Sequence, residues 1–251
     1  MEMQGGQMLI PKNTLEQNAW CNAQNANYFD GWTREIFDVY LNRTGLQYLD
    51  DIKIITPLIK NAKTVLDVSS GYGRVIDALL ERKIGNKITA LEWSPNIADY
   101  LERKFHAKIG VYNIDLLKFY TDLSYDVILW MWSGITDFSP VEQRYLVSKL
   151  SALLNKNGKL IIDTPQPSVL PVNVILKNKK NGGYYTDVLK DNQLQGYIPR
   201  GIEMLSYAKI AKMDVQCIPY ITKKGVYRVL YILTNPNATF EKCRSIGEVT
   251  F

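Results

Sequence analysis

Histidine is almost missing from this chain: His106 is the only one among 251 residues. A Ser-His-Asp triad, a Cys-His pair, an HExxH zinc site or a His-rich iron site would each have to use it. It follows Leu101 and Phe105 beside Lys104 and Lys108, the pattern of a solvated helix tail. Cysteine is scarce too. Cys21, Cys217 and Cys243 are scattered without CxxC spacing, so neither a disulfide framework nor a thiolate zinc site is indicated, and a reducing compartment is the simplest reading. No apolar run approaches the ~20 residues that a membrane span needs. The stretch 1–11 carries Glu2 and no long apolar run, which argues against a signal peptide, and the expectation is a cytoplasmic protein. Excess charge is also lacking: 30 basic against 25 acidic residues leave +5, far from the dense basic stripe of a dedicated nucleic-acid binder.

What is present is 46% apolar content, ample for a continuous core, arranged in an alternating order. From residue 63 onward short β-branched runs alternate with helical patterns, which predicts an α/β doubly wound sheet. Strands are expected at 65–69, 87–92, 111–115, 126–131 and 159–163. The helix after the second strand should start at Ser94-Pro95, and another should run from Pro140 to Leu154 and end at Asn157-Gly158. Residues 34–60 read as helical. Residues 1–33, rich in Asn and Gln, form an N-terminal arm, and 34–251 form one domain interrupted by a partly β insertion at about 166–200. A helix near 202–212 precedes two strands, 215–220 and 226–233, whose turn at 222–225 makes them an antiparallel hairpin.

The segment Val65-Leu66-Asp67-Val68-Ser69-Ser70-Gly71-Tyr72-Gly73-Arg74 carries most of the chemistry. A strand ends in an acid and a glycine turn before a helix, whose free N–H groups attract a carboxylate or phosphate. Nineteen residues past Gly73, Glu92 sits at the tip of the second strand, where an acid can accept both hydroxyls of a ribose. Asp115 ends the third strand. All three lie on the carboxyl edge, where such sheets bind ligands. There is no GxxxxGK[ST] loop, and Ile76 replaces the third glycine of a dinucleotide fingerprint.

In these residues the chain resembles the class I S-adenosylmethionine-dependent methyltransferases, over about residues 60–235. The resemblance implies a Rossmann-like seven-stranded sheet with an antiparallel last strand, and S-adenosyl-L-methionine as cofactor. It assigns Asp67, Ser69, Gly71, Gly73 and Arg74 to the first motif, with Ser69 where the family usually has glycine. Glu92 becomes the ribose acid, and Asp115-Leu116 the adenine pair. Trp93 either covers the adenine or caps the following helix, and Trp130 joins the cofactor set. The run Tyr125 to Ile135 is similar to the fourth strand and substrate-side loop of small-molecule members, including sugar N-methyltransferases. Aminopropyltransferases share the first motif but place an acid where this chain has Trp130.

The reaction this implies is in-line transfer of an activated methyl to N or O of a small-molecule acceptor, where positioning supplies most of the acceleration. Asp137, on the loop leaving strand four, is the candidate base; the competing role is capping the next helix, with Ser139 as rival. Tyr28, Trp132 and Tyr197 are the expected acceptor residues, with Tyr28 and Phe29 as an aromatic lid. Of Trp130 and Trp132 only one can face the ligand. Lys177, Lys179 and Lys180 read as a solvated loop. The alternatives are a tRNA or protein methyltransferase, with the missing Asn/Asp-Pro-Pro-Tyr/Phe motif standing against the nucleic-acid version, and a non-catalytic methyltransferase-like binding subunit. No membrane partner is expected.

Overall fold

The structure, a computed structural model, describes residues 3–4, 7–8, 25, 28–165, 175–176, 183–189 and 192–236. Lys177, Lys179, Lys180, Cys21, Cys243 and most of the expected arm lie outside the described residues.

Five strands run parallel: β1 (Thr64–Val68), β2 (Lys87–Glu92), β3 (Gly110–Asn113), β4 (Tyr125–Trp130) and β5 (Leu154–Pro165). In the insertion β6 (Gly183–Leu189) and β7 (Asn192–Ile198) form an antiparallel hairpin extended by Ile175–Leu176. Then β8 (Asp214–Ile221) and β9 (Tyr227–Thr234) pair antiparallel, and β9 lies antiparallel against β5. The main sheet has seven strands in the order β8-β9-β5-β4-β1-β2-β3, with β9 alone reversed. This is the expected doubly wound sheet with an antiparallel last strand.

Strand alternation sorts side chains into two cores. Val65, Val127, Leu129 and Ile161 face α2 (Asp50–Ile59), α3 (Arg74–Glu81) and α4 (Pro95–Phe105). Leu66, Ile128, Trp130, Leu160 and Ile162 face α5 (Pro140–Ala152) and α6 (Gly201–Ile210). Burying a Val, Leu or Ile side chain on either face contributes ~1.5–3 kcal/mol, which is why β-branched runs mark these strands. As expected, Ser94 caps α4 with Pro95 in its first turn, and His106 ends α4 exposed.

Three boundaries differ from the sequence pattern. The stretch 34–60 is two helices, because α1 (Arg34–Thr44) stops at Gly45, whose φ of +81° suits a left-handed cap. A Cβ at Gly45 would lie 2.8 Å from Thr222 Oγ1, so the break also docks α1 on the β8–β9 turn. Asn157-Gly158 does not end α5: it lies inside β5, at a register shift against β4, and a Cβ at Gly158 would lie 2.8 Å from the Tyr125 carbonyl oxygen. And β3 ends at Asn113, leaving Asp115 in the turn beyond, where its Oδ1 accepts from Leu117 N at 2.9 Å.

Candidate active site

At the carboxyl ends of β1, β2, β4 and β5 lies a cavity of about 440 Å³, roofed by α1 and the segment 28–33. Its floor is the turn after β1. Ser69 and Gly71 both have positive φ, +56° and +52°, and both line the cavity. An L-residue in that region costs ~1–2 kcal/mol, which explains the family's glycine at the place of Ser69. Gly71 lies under the Phe37 ring, 3.3 Å from where its Cβ would be.

Glu92 binds the turn together. Its Oε2 accepts from Gly71 N at 2.8 Å, and its Oε1 accepts from Trp93 N at 2.9 Å and Ser94 N at 3.0 Å. Burial pushes the Glu92 carboxyl above its ordinary pKa, against the pull of those three donors. Asp67 lies buried beneath the turn with Oδ2 lacking a partner, and burial pushes it up to about 7. Trp93, Ile114 and Leu116 continue the wall towards β3.

The opposite end is aromatic. Trp132 and Ser133 leave β4 with φ of +53° and +69°, which breaks the strand alternation and turns Trp132 into the cavity while Trp130 stays in the core. The Trp132 ring meets Phe37 at 4.6 Å, Tyr40 at 5.2 Å and Trp32 at 6.3 Å between centroids. Tyr28 and Phe29 line the same space in an edge-to-face pair. The segment carrying them is tied down by Tyr72 Oη donating to the Trp32 carbonyl at 2.8 Å and by Ser94 Oγ donating to Asp30 Oδ1.

The strained loop is strapped from behind. Asp163 at the end of β5 accepts from Trp132 N at 3.2 Å, from Tyr220 Oη at 3.0 Å and from Arg228 Nε at 3.0 Å, and an Arg228 terminal nitrogen donates to Ser133 Oγ at 2.8 Å. Burial alone would lower the Arg228 guanidinium's pKa, and the Asp163 carboxylate more than reverses it. Breaking such a buried pair costs ~3–5 kcal/mol.

Asp137 ends the short 3₁₀ helix Gly134–Asp137 and lines the cavity. Among the described residues no group hydrogen-bonds its carboxylate; only its backbone carbonyl accepts, from Asn25 Nδ2 at 3.0 Å. Burial, with Glu92 nearby, holds its carboxyl well above the ordinary range. It does not cap α5: Ser139 does, in a capping box with Glu142.

Of the expected residues, Ser69, Gly71, Glu92, Trp93, Leu116, Tyr28, Trp132 and Asp137 line this one cavity. Five lie elsewhere, apart from Asp67 beneath the turn. Arg74 turns away to pair with Asp51 at 2.6 Å, under the Leu46 carbonyl, and pins α3 to α2. Gly73 faces α4, where a Cβ would lie 2.5 Å from the Phe105 ring. Asp115 closes its own turn, Trp130 packs on Phe138 in the core, and Tyr197 donates to Glu203 while its strand neighbours Leu194 and Ile198 reach the cavity. Sequence reading missed Trp32, Tyr40 and Arg43 on the roof and the Asp163–Arg228 strap. Asp163 after the apolar run 160–162 and Arg228 before the apolar run 229–233 were the available signal for the strap.

No family model matches the chain, and no curated protein sequence does. Solved structures do. Burkholderia thailandensis 1,6-didemethyltoxoflavin-N1-methyltransferase, crystallised with 1,6-didemethyltoxoflavin and S-adenosylhomocysteine, is 15% identical over 91% of this chain and 92% of its own, with a TM-score of 0.63. Streptomyces venezuelae DesVI is 12% identical over 80% of this chain and 98% of its own, at 0.62. CalS10, an amino pentose methyltransferase from Micromonospora echinaspora crystallised with S-adenosylmethionine, is 14% identical over 81% and 98%, at 0.61. The chain therefore has the class I methyltransferase fold.

Proposed function

We propose that the protein is an S-adenosyl-L-methionine-dependent methyltransferase acting on nitrogen or oxygen of a small-molecule acceptor. One observation carries the reading: the Glu92-clamped glycine turn and the Asp137 carboxylate, which no described residue hydrogen-bonds, line one aromatic cavity. The residues present fit the cofactor. Gly71 offers backbone without a side chain at the N-terminal end of α3, Glu92 stands where a ribose would be held, and Ile114 and Leu116 give an adenine an apolar wall. Bound there, S-adenosylmethionine supplies a methyl already activated on a sulfonium.

The chain's own task is then to position. Trp32, Tyr40 and Trp132 exclude water and offer ring faces to a cation. Asp137 would orient the acceptor and take the proton it releases; burial, which raises this carboxyl's pKa, makes its carboxylate a stronger proton acceptor. In this reading the arm 1–33 and the insertion 166–200 cover the acceptor, with Tyr28 from the one and Leu194 and Ile198 from the other. A roof of that kind favours a small acceptor over a nucleic-acid or protein chain. Among the described residues no helix is long and apolar enough to cross a membrane, and no cluster of His, Cys, Asp or Glu is placed to hold a metal.

Calorimetry with S-adenosylhomocysteine tests the reading. The expected result is one site per chain, weakened at least tenfold by Glu92→Ala. Absence of binding at millimolar ligand would refute it.

A further inference from the structure

The cavity's charges are few and unevenly placed. Among the described residues three charged side chains line it: Glu92, Asp137 and Arg43. Glu92 is committed to three backbone donors, and Asp137 faces the space where a methyl acceptor would sit. Arg43 has neither ion pair nor hydrogen bond among the described residues, so its five donors are available at the cavity mouth.

Its place on α1 separates it from the cofactor end. Phe37 overlies Gly71, and Arg43 lies six residues further along the helix, about 9 Å at 1.5 Å per residue. The next residue, Thr44, accepts from Thr222 Oγ1 at 2.7 Å, which fixes this end of α1 over the β8–β9 turn, on the side of Pro165 and Ser133. Tyr40 and Trp132 line the same cavity, their rings packed on each other at 5.2 Å between centroids.

We propose that Arg43 anchors an anionic group, carboxylate or phosphate, on the methyl acceptor, so that the substrate is an amine or hydroxyl compound carrying negative charge at the end remote from the methylated atom. A guanidinium fork fits either oxyanion bidentately, and the Tyr40 and Trp132 rings give the cavity apolar surface for the rest of the molecule. This rests on the methyltransferase reading above.

The test uses protein saturated with S-adenosylhomocysteine and three probes: 4-aminobenzoate, 4-aminophenyl phosphate and the uncharged methyl 4-aminobenzoate. Calorimetry should show at least one anionic probe binding ten times more tightly than the ester. Arg43→Gln should erase that preference, Arg43→Lys should retain part of it, and the Kd for S-adenosylhomocysteine should stay within twofold in both. Equal binding of all three probes, or binding of none, overturns the proposal. So does an Arg43→Gln variant that loses S-adenosylhomocysteine tenfold but keeps 5′-methylthioadenosine, because the anion held would then be the cofactor's own carboxylate. Failure of the wild-type protein to bind S-adenosylhomocysteine overturns the methyltransferase reading instead, before any probe is added.

Discussion

Glu92→Gln separates a ribose contact from a structural clamp. Counting only ribose hydroxyls, glutamine should be mild, since its amide still accepts a hydrogen bond. The geometry says otherwise. The carboxylate takes Gly71 N on one oxygen and Trp93 N and Ser94 N on the other, whereas an amide has one accepting end. The best orientation keeps the pair and sets the amide NH2 against the Gly71 N–H, donor to donor. Losing one charge-assisted bond costs ~1.5–3 kcal/mol, and the two that remain weaken as the charge goes. Removing a charge that burial disfavours returns part of this, leaving ~1–3 kcal/mol. At about 2–4 °C per kcal/mol the melting temperature should fall by several degrees. Since the same turn floors the cavity proposed for the cofactor, affinity for S-adenosylhomocysteine should fall about tenfold for each 1.4 kcal/mol that reaches the site. Calorimetry and thermal melts on wild type, Glu92→Gln and Glu92→Ala measure both. A glutamine variant with Kd within twofold and melting temperature within about 1 °C of wild type would refute the clamp.

Gly73→Val should lower the melting temperature strongly through its collision with Phe105, whereas Gly71→Ala should chiefly weaken cofactor binding; a scan and a titration on each distinguish the two glycines. Asp137→Asn should cut methyl transfer at least tenfold with melting temperature unchanged, while Ser139→Ala should lose ~1 kcal/mol of stability, the worth of an N-cap, and keep turnover. Asp67, pushed up to about 7, holds its proton more tightly folded than unfolded, so its contribution to stability is full below about pH 4 and is lost as pH rises towards 7. Asp67→Asn should therefore gain stability relative to wild type at pH 8 and little at pH 4; equal gains at both would reject the assignment.

The sheet was legible because its central strands are buried on both faces and read as apolar runs, and because Ser94-Pro95 and Ser139-Pro140 announce their helices chemically. The floor of the site was legible for a related reason: backbone conformation there requires particular residue types, so Gly71 and Glu92 show in one dimension. Arg74 and Gly73 belong to the same motif yet serve packing, since neighbours on a turn point to opposite sides and sequence does not say which. The roof was hidden because α1 contributes single residues, Tyr40 and Arg43 among them, whose role depends on how Gly45 ends the helix. In β4 the alternation that left Trp130 and Trp132 undecided was broken by two positive φ values, a feature no period records.

The strap on the Trp132–Ser133 loop also orders events during synthesis. The cavity floor has its clamp once residue 92 meets 71, and Asp163 arrives with β5, but the guanidinium that fixes Ser133 belongs to Arg228, on the last strand of the sheet in chain order. A chain short of β9 would hold the turn after β1 to Glu92 while Ser133 still lacks its guanidinium, so the Trp132 side of the cavity is set after its floor.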